Sequence, residues 1–192
     1  MKNGDKTMHV CSFIGHRKIE NIDSIKEKLK QIITHLITYH NVDTFLFGSR
    51  SDFNAICHLV VNELKLTYPQ IKRIAYTCTH ETCNLERDKK ELQKLFCLLP
   101  RHSNQWLYVD EEVKYKTKFT SGKASYILRN KAMIDNSGYC VFFFDTNYNV
   151  TIRKSSNNSY QKTKSGTQIA YQYAKQKKKH IINIADLNTH NN

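Results

Sequence analysis

No apolar run in the sequence approaches the ~20 residues that a helix needs to cross a bilayer. The opening residues, MKNGDKTMHV, contain no apolar stretch of the kind that directs secretion. A membrane span and an export signal are therefore not expected, and a cytoplasmic protein is. Metal-binding spacings are missing as well. The cysteines at 11, 57, 78, 83, 97 and 140 are scattered, and the nearest approach to a ligand set is Cys78, His80 and Cys83 in TCTHETC. That spacing fits no zinc pattern and no second ligand pair follows it, so the cysteines read as reduced thiols, with no metal and no cofactor expected. There is no internal repeat. Nor is there a Ser-His-Asp order or a paired-carboxylate motif to single out a catalytic group.

Glycine is scarce, with six in 192 residues, so a glycine at an element boundary asks for a reason. Acidic residues are scarce in the second part of the chain. Residues 112–192 carry 14 Lys and Arg against 4 Asp and Glu, whereas residues 1–111 carry 16 against 13. The excess of +10 in the C-terminal part favours anionic partners: nucleotides, nucleic acid or acidic surfaces.

What is present is a regular alternation. At 40% hydrophobic residues the chain is globular, and its length suits one domain spanning residues 1–192. Residues 9–15 (HVCSFIG) predict a buried strand ending in Gly. The next segment, 22–40, predicts a helix with Ile22, Ile25, Leu29, Ile32, Ile33 and Leu36 on one face. Residues 42–48 (VDTFLFG) predict a second strand, again ending in Gly. A helix follows with Phe53, Ile56, Cys57, Val60, Val61 and Leu64 at helical spacing, and then a third strand at 71–77. In the middle, 85–99 reads as a helix and 106–109 (WLYV) as a short strand. Residues 124–137 predict a helix with Tyr126, Ile127, Met133 and Ile134 inward, and 138–145 (GYCVFFFD) a central strand. The polar, basic stretch 146–164 predicts a long loop. A helix starting at Ser165-Gly166-Thr167, a strand at 180–184 and a frayed tail complete the chain. Such alternation implies an α/β, three-layer Rossmann-like fold, with a mostly parallel sheet flanked by helices.

In such a sheet, ligands bind beyond the carboxyl ends of the strands. Those ends carry Gly15-His16-Arg17, Gly48-Ser49-Arg50 with Asp52 close behind, Thr77 to His80, and Asp145. Gly lets a ligand approach backbone, and Arg can fork onto phosphate. Arg129 and Asn130 interrupt an apolar helix face, and a buried Arg there wants an anion or a carboxylate such as Asp135 or Asp145. The start Ser165-Gly166-Thr167 offers free N–H groups to a phosphate, or is an ordinary N-cap. As acids or bases, Asp52, Asp145, His16 and His80 are the candidates, with Asp52 and Asp145 the two carboxylates that could serve catalysis. The run from Lys175 to His180 reads as a solvated helix end or a nucleic-acid patch.

The blocks SFIGHRKI, FLFGSRSDFNAICHLVVNELKLTYPQIKRI, YILRNKAMIDNSGYCVFFFD and KSGTQIAYQYAKQKKKHIINI, in that order, resemble the SLOG superfamily, and within it the YpsA-like branch of small standalone bacterial proteins. The resemblance implies a nucleotide-derived small molecule as partner and a sensing or regulatory role. The binding residues it implies are Gly15, His16, Arg17, Gly48, Asp52, Arg129, Asn130, Ser165, Gly166 and Thr167. LOG-type members hydrolyse nucleotides through a catalytic Glu; Ala170 stands at its position here, which weakens the N-glycosidase alternative. Members related to DNA-processing protein A bind single-stranded DNA, so single-stranded nucleic acid is a second alternative partner. Relatives of this fold often dimerise, which makes a homodimer a further expectation, although no apolar stripe marks an interface.

Overall fold

The computed structural model describes residues 6–48, 51–78, 109–115, 123–148 and 164–188. Six strands are present among them: β1 (Val10–Gly15), β2 (Thr44–Phe47), β3 (Lys72–Cys78), β4 (Glu111–Tyr115), β5 (Tyr139–Phe143) and β6 (His180–Asn183). Four helices accompany them: α1 (Ile22–His40), α2 (Asp52–Thr67), α3 (Lys123–Asp135) and α4 (Gly166–Gln176). All strand pairs are parallel, in the order β4-β3-β2-β1-β5-β6. The chain therefore builds outward from β1 to β4, then crosses over and places β5 on the other side of β1. That reversal puts the topological switch point between β1 and β5.

Side chains alternate across the sheet with period two and fill a core on each face. On one face Phe13, Phe45 and Phe47 pack against Leu29, Ile33 and Leu36 of α1 and Phe53, Cys57 and Val60 of α2. The Phe13 ring stacks on Phe45 at 5.9 Å and on Phe47 at 5.3 Å between centroids. On the other face Ile14, Leu46, Cys140 and Phe142 meet Met133 and Ile134 of α3 and Ala170 and Ala174 of α4. With both faces covered, the central strands carry near-continuous apolar sequence, which makes them legible without the structure.

Three expectations need adjustment. Beyond β3 lies a strand at Glu111–Tyr115, in the charged sequence EEVKY, where none was expected, while the strand expected at 106–109 falls mostly outside the described residues. Strand β4 is the sheet's edge, where charged side chains replace the apolar alternation and block unwanted pairing. The tail expected to fray, residues 185–192, begins with most of a short 3-10 helix, Ile184–Asn188, in which Asp186 accepts a bond from Asn183 at 2.9 Å. In α3 the inward stripe is Ser125, Arg129, Met133 and Ile134, while Tyr126 and Ile127 are only half-buried. The helix expected at 85–99 lies outside the described residues, as do residues 106–108, His80, Cys83 and most of the 146–164 loop.

Candidate functional site at the carboxyl edge of the sheet

A parallel strand–helix connection turns the chain at the carboxyl edge, so α2 and α4 begin there, next to the ends of β1, β2 and β5. Ser51 caps α2, its hydroxyl accepting from the Asn54 N–H at 3.1 Å. Asn54 itself is buried and ties two strand ends together. Its Oδ1 accepts from the Gly48 N–H at 2.9 Å, and its Nδ2 donates to the Phe13 carbonyl at 3.4 Å. The β1 end joins the same assembly through the Asp52 N–H, which donates to the Arg17 carbonyl at 2.9 Å. Sequence reasoning missed Asn54: a polar residue in an apolar helix face was the available signal.

At the switch point, His16 is 2% exposed. Its Nε2 lies between the Asp145 N–H at 3.0 Å and the Asp145 carbonyl oxygen at 3.2 Å, accepting from the first in one tautomer and donating to the second in the other. Burial lowers its pKa, against a weaker opposing pull from Asp145. Tyr148 stacks on the ring at 3.8 Å with an interplanar angle of 7°. His16 is thus a buried ring, covered by a tyrosine and tied to the Asp145 backbone. Asn183 fixes the adjoining β5 end: it accepts from the Phe144 N–H and donates to the Phe144 carbonyl, both at 2.9 Å.

The glycines differ in what their missing side chains admit. A Cβ on Gly15 would run into the Phe53 ring, with Phe53 Cβ at 2.6 Å. A Cβ on Gly48 would meet the Arg129 guanidinium at 3.0 Å. Around Gly166 no atom of the described residues would lie within 4 Å. A side chain at Gly15 is thus barred by the core and one at Gly48 crowds an arginine, while around Gly166 the described residues leave room. That arginine is 4% exposed, hydrogen-bonded to Asn130 Oδ1 from Nε at 3.3 Å and Nη2 at 3.2 Å, with Cζ 5.2 Å from the Tyr126 ring centre. The two carboxylates expected to pair with it have work of their own: Asp135 holds Tyr173 and Lys177, and Asp145 Oδ1 accepts from the Asn147 N–H at 2.8 Å.

At the start of α4, Ser165 is the N-cap, its Oγ accepting from the Gln168 N–H at 3.0 Å. Thr167 is 7% exposed and faces inward, so its hydroxyl is less open than its place in the tripeptide suggests. Lys123, at the head of α3, donates to the Lys164 carbonyl at 2.6 Å, bringing the two helix starts side by side. Arg17 is exposed at the edge, and Asp52 faces Lys18 at 3.5 Å. Ser49 and Arg50 lie outside the described residues. Among the described residues no group of three His, Cys, Asp or Glu side chains is placed to hold a metal ion, and no helix is long and apolar enough to cross a membrane. A shallow depression of about 400 Å³ lies away from this edge, along the outer face of α1 between Glu27 and Tyr39; a single helix lines it, so it is not taken as the site.

No curated protein matches the chain. Among solved structures the fold is similar to DNA processing protein A from Helicobacter pylori, described for its single-stranded DNA binding mode, with a TM-score of 0.55 at 15% identity. The match covers 91% of this chain and 64% of that one, so the chain spans under two-thirds of that protein's length. At such identity the likeness is one of fold. The family model of YpsA, described as the YspA SLOG family, matches residues 3–185, and the chain belongs to that family.

Proposed function

We propose that this protein binds a nucleotide or a nucleotide-derived small molecule at the carboxyl edge of its sheet and acts as a sensor or regulator. The observation that carries the reading is Gly166. Among the described glycines of this edge, it is the one whose missing side chain no other described residue fills, and it begins a helix beside the switch point. A phosphate reaching the α4 start gains about 0.3–1 kcal/mol from the helix dipole. A millimolar ligand needs about 4 kcal/mol, so charge-assisted bonds from Arg17, and from Arg129 beside Gly48, supply the remainder.

Binding is favoured over hydrolysis. Ala170, at the position of the LOG-type glutamate, faces inward and is 2% exposed. Asp145 Oδ1 accepts from the Asn147 N–H, and Asp52 lies 3.5 Å from Lys18. The test is a thermal-shift screen against nucleoside mono- and diphosphates, NAD, ADP-ribose and cyclic nucleotides. Stabilisation rises to about 2.7 kcal/mol at a hundredfold excess over Kd. Absence of any shift at millimolar concentrations contradicts the reading.

A second reading, single-stranded nucleic acid as a partner, is favoured by the +10 charge of residues 112–192 and by the fold shared with a protein described for binding single-stranded DNA.

A further inference from the structure

We propose that the outer surface of the α3–α4 pair docks the phosphate backbone of a single-stranded nucleic acid through Lys131, Lys175 and Lys177. This deepens the second reading and is independent of the nucleotide site.

The starting point is a repeated spacing. Tyr171 and Lys175, and Tyr173 and Lys177, stand four apart at α4, where side chains share a face. Each lysine lies over its tyrosine: Lys175 Nζ is 4.7 Å from the Tyr171 ring centre and Lys177 Nζ 5.4 Å from that of Tyr173. From α3, Lys131 reaches the same Tyr173 ring at 4.9 Å. Lys131 and Lys177 thereby share the Tyr173 ring, while Lys175 is held separately on Tyr171. A free lysine loses as much as about 2 kcal/mol of rotamer entropy when a ligand immobilises it, and a ring-held lysine has surrendered part of that already.

Opposing charge is almost absent. Residues 123–135 and 164–180 contain eight Lys and Arg against one acidic residue, Asp135. That carboxylate accepts from the Tyr173 hydroxyl at 2.9 and 3.0 Å and pairs with Lys177 at 3.6 Å, so it offsets one of the eight cations. Lys178 is exposed and Lys179 partly exposed at the helix end.

A polyanion with closely spaced charges suits this surface better than a lipid bilayer. Interfacial helices need an apolar face free to enter the headgroups. The apolar face of α4 is spent on the core through Ala170 and Ala174, and the exposed large apolar residues Met8, Ile22, Tyr39 and Leu66 all lie elsewhere. The surface also begins at the carboxyl edge, because the Tyr171 ring packs on Phe144 at 4.9 Å. From there the 11-residue α4 offers about 16 Å of track for a strand.

The experiment measures binding of a fluorescently labelled oligothymidylate by anisotropy across a range of salt concentrations. The comparison is between the wild-type chain, Lys131→Gln/Lys175→Gln/Lys177→Gln, and Lys30→Gln/Lys72→Gln as a control on α1 and β3. Melting curves establish that each variant is folded. The expected result is a wild-type affinity that falls steeply with salt and at least a tenfold loss in the triple variant. The salt slope should be shallower by about 2, at roughly 0.7 for each phosphate that a lysine no longer neutralises, with the control within about twofold of wild type. Binding by the wild type that the triple variant retains in full overturns this surface and leaves the second reading standing. No binding by the wild type at low salt overturns both, as does binding confined to anionic lipid vesicles.

Discussion

The guanidinium of Arg129 occupies the space that a side chain on Gly48 would need: a Cβ there lies 3.0 Å from Nη2 and 3.1 Å from Cζ. One residue ends β2 and the other sits mid-helix on α3, 81 positions later. Their contact holds a buried cation against the carboxyl edge, where the open start of α4 also lies.

Gly48→Ala tests that contact. The methyl group presses on the guanidinium by a few tenths of an ångström, so Arg129 must shift. Overpacking of this kind costs about 1–3 kcal/mol. The expected outcome is a folded protein with a lowered melting temperature and a nucleotide-induced shift much reduced. An unchanged ligand response would show that the position of Arg129 does not matter for binding.

Gly15→Ala has a different expected outcome, because its obstacle is the Phe53 ring and Cβ rather than a flexible chain end. Destabilisation should reach or exceed the upper part of the same 1–3 kcal/mol range, as expected of roughly this degree of overpacking. Adding Phe53→Ala should then cost less in the Gly15→Ala background than in wild type, which a double-mutant cycle from denaturant unfolding measures. Additive losses would contradict the packing account of Gly15.

Asn54→Leu leaves the Gly48 N–H without its acceptor and cuts the tie between the β1 and β2 ends. A buried donor left unpaired costs about 1–3 kcal/mol. Urea unfolding should show a loss of that size, and amide exchange at Gly48 should accelerate. A variant as stable as wild type would mean that the two strand ends hold their geometry unaided.

Acid sensitivity should centre on His58. Its Nε2 is enclosed and has no hydrogen-bond partner among the described residues, and the ring lies edge-on to Phe47 at 4.9 Å. Burial first, and Arg73 second, push its pKa down to about 4, against an unfolded value of about 6.5. Between those values the unfolded chain binds the proton and the folded one does not, so stability falls as pH drops from about 6.5 to 4, by on the order of 2–3 kcal/mol. Asp110 adds nothing in that window. Burial alone would raise its pKa, but hydrogen bonds from Arg73 and Lys65 hold it well below the usual carboxylate range, so its contribution is lost only at lower pH. His58→Leu should raise the melting temperature and flatten this acid limb. Equal losses between pH 7 and pH 5 in both proteins would move the sensitivity elsewhere.

The parts of the fold that could be read from sequence were those with one dominant physical signal. Buried strands such as VCSFIG and YCVFF are apolar throughout, and α1 carries a clean stripe. Strand β4 escaped because an edge strand needs no such pattern. At the site, Arg129 betrayed itself as a cation inside an apolar face. The surroundings of the glycines were not legible, because sequence alone does not tell whether a missing side chain leaves room for a phenylalanine, an arginine or neither. Asn54, Asn183 and the Tyr148–His16 stack were hidden for another reason: each joins segments that only the sheet order brings together.

Gly166→Val is the most direct test of the central claim. No other described residue lies within 4 Å of the added Cβ, and the residue is helical, so neither described neighbours nor backbone strain oppose the change. The variant should melt within a few degrees of wild type. The best nucleotide in the panel should then shift the wild-type melting temperature and leave that of Gly166→Val where it was, because the branched side chain stands where the phosphate must reach the helix start. A ligand shift that survives intact in the folded variant would contradict the account, and would reduce this glycine to part of an ordinary N-cap.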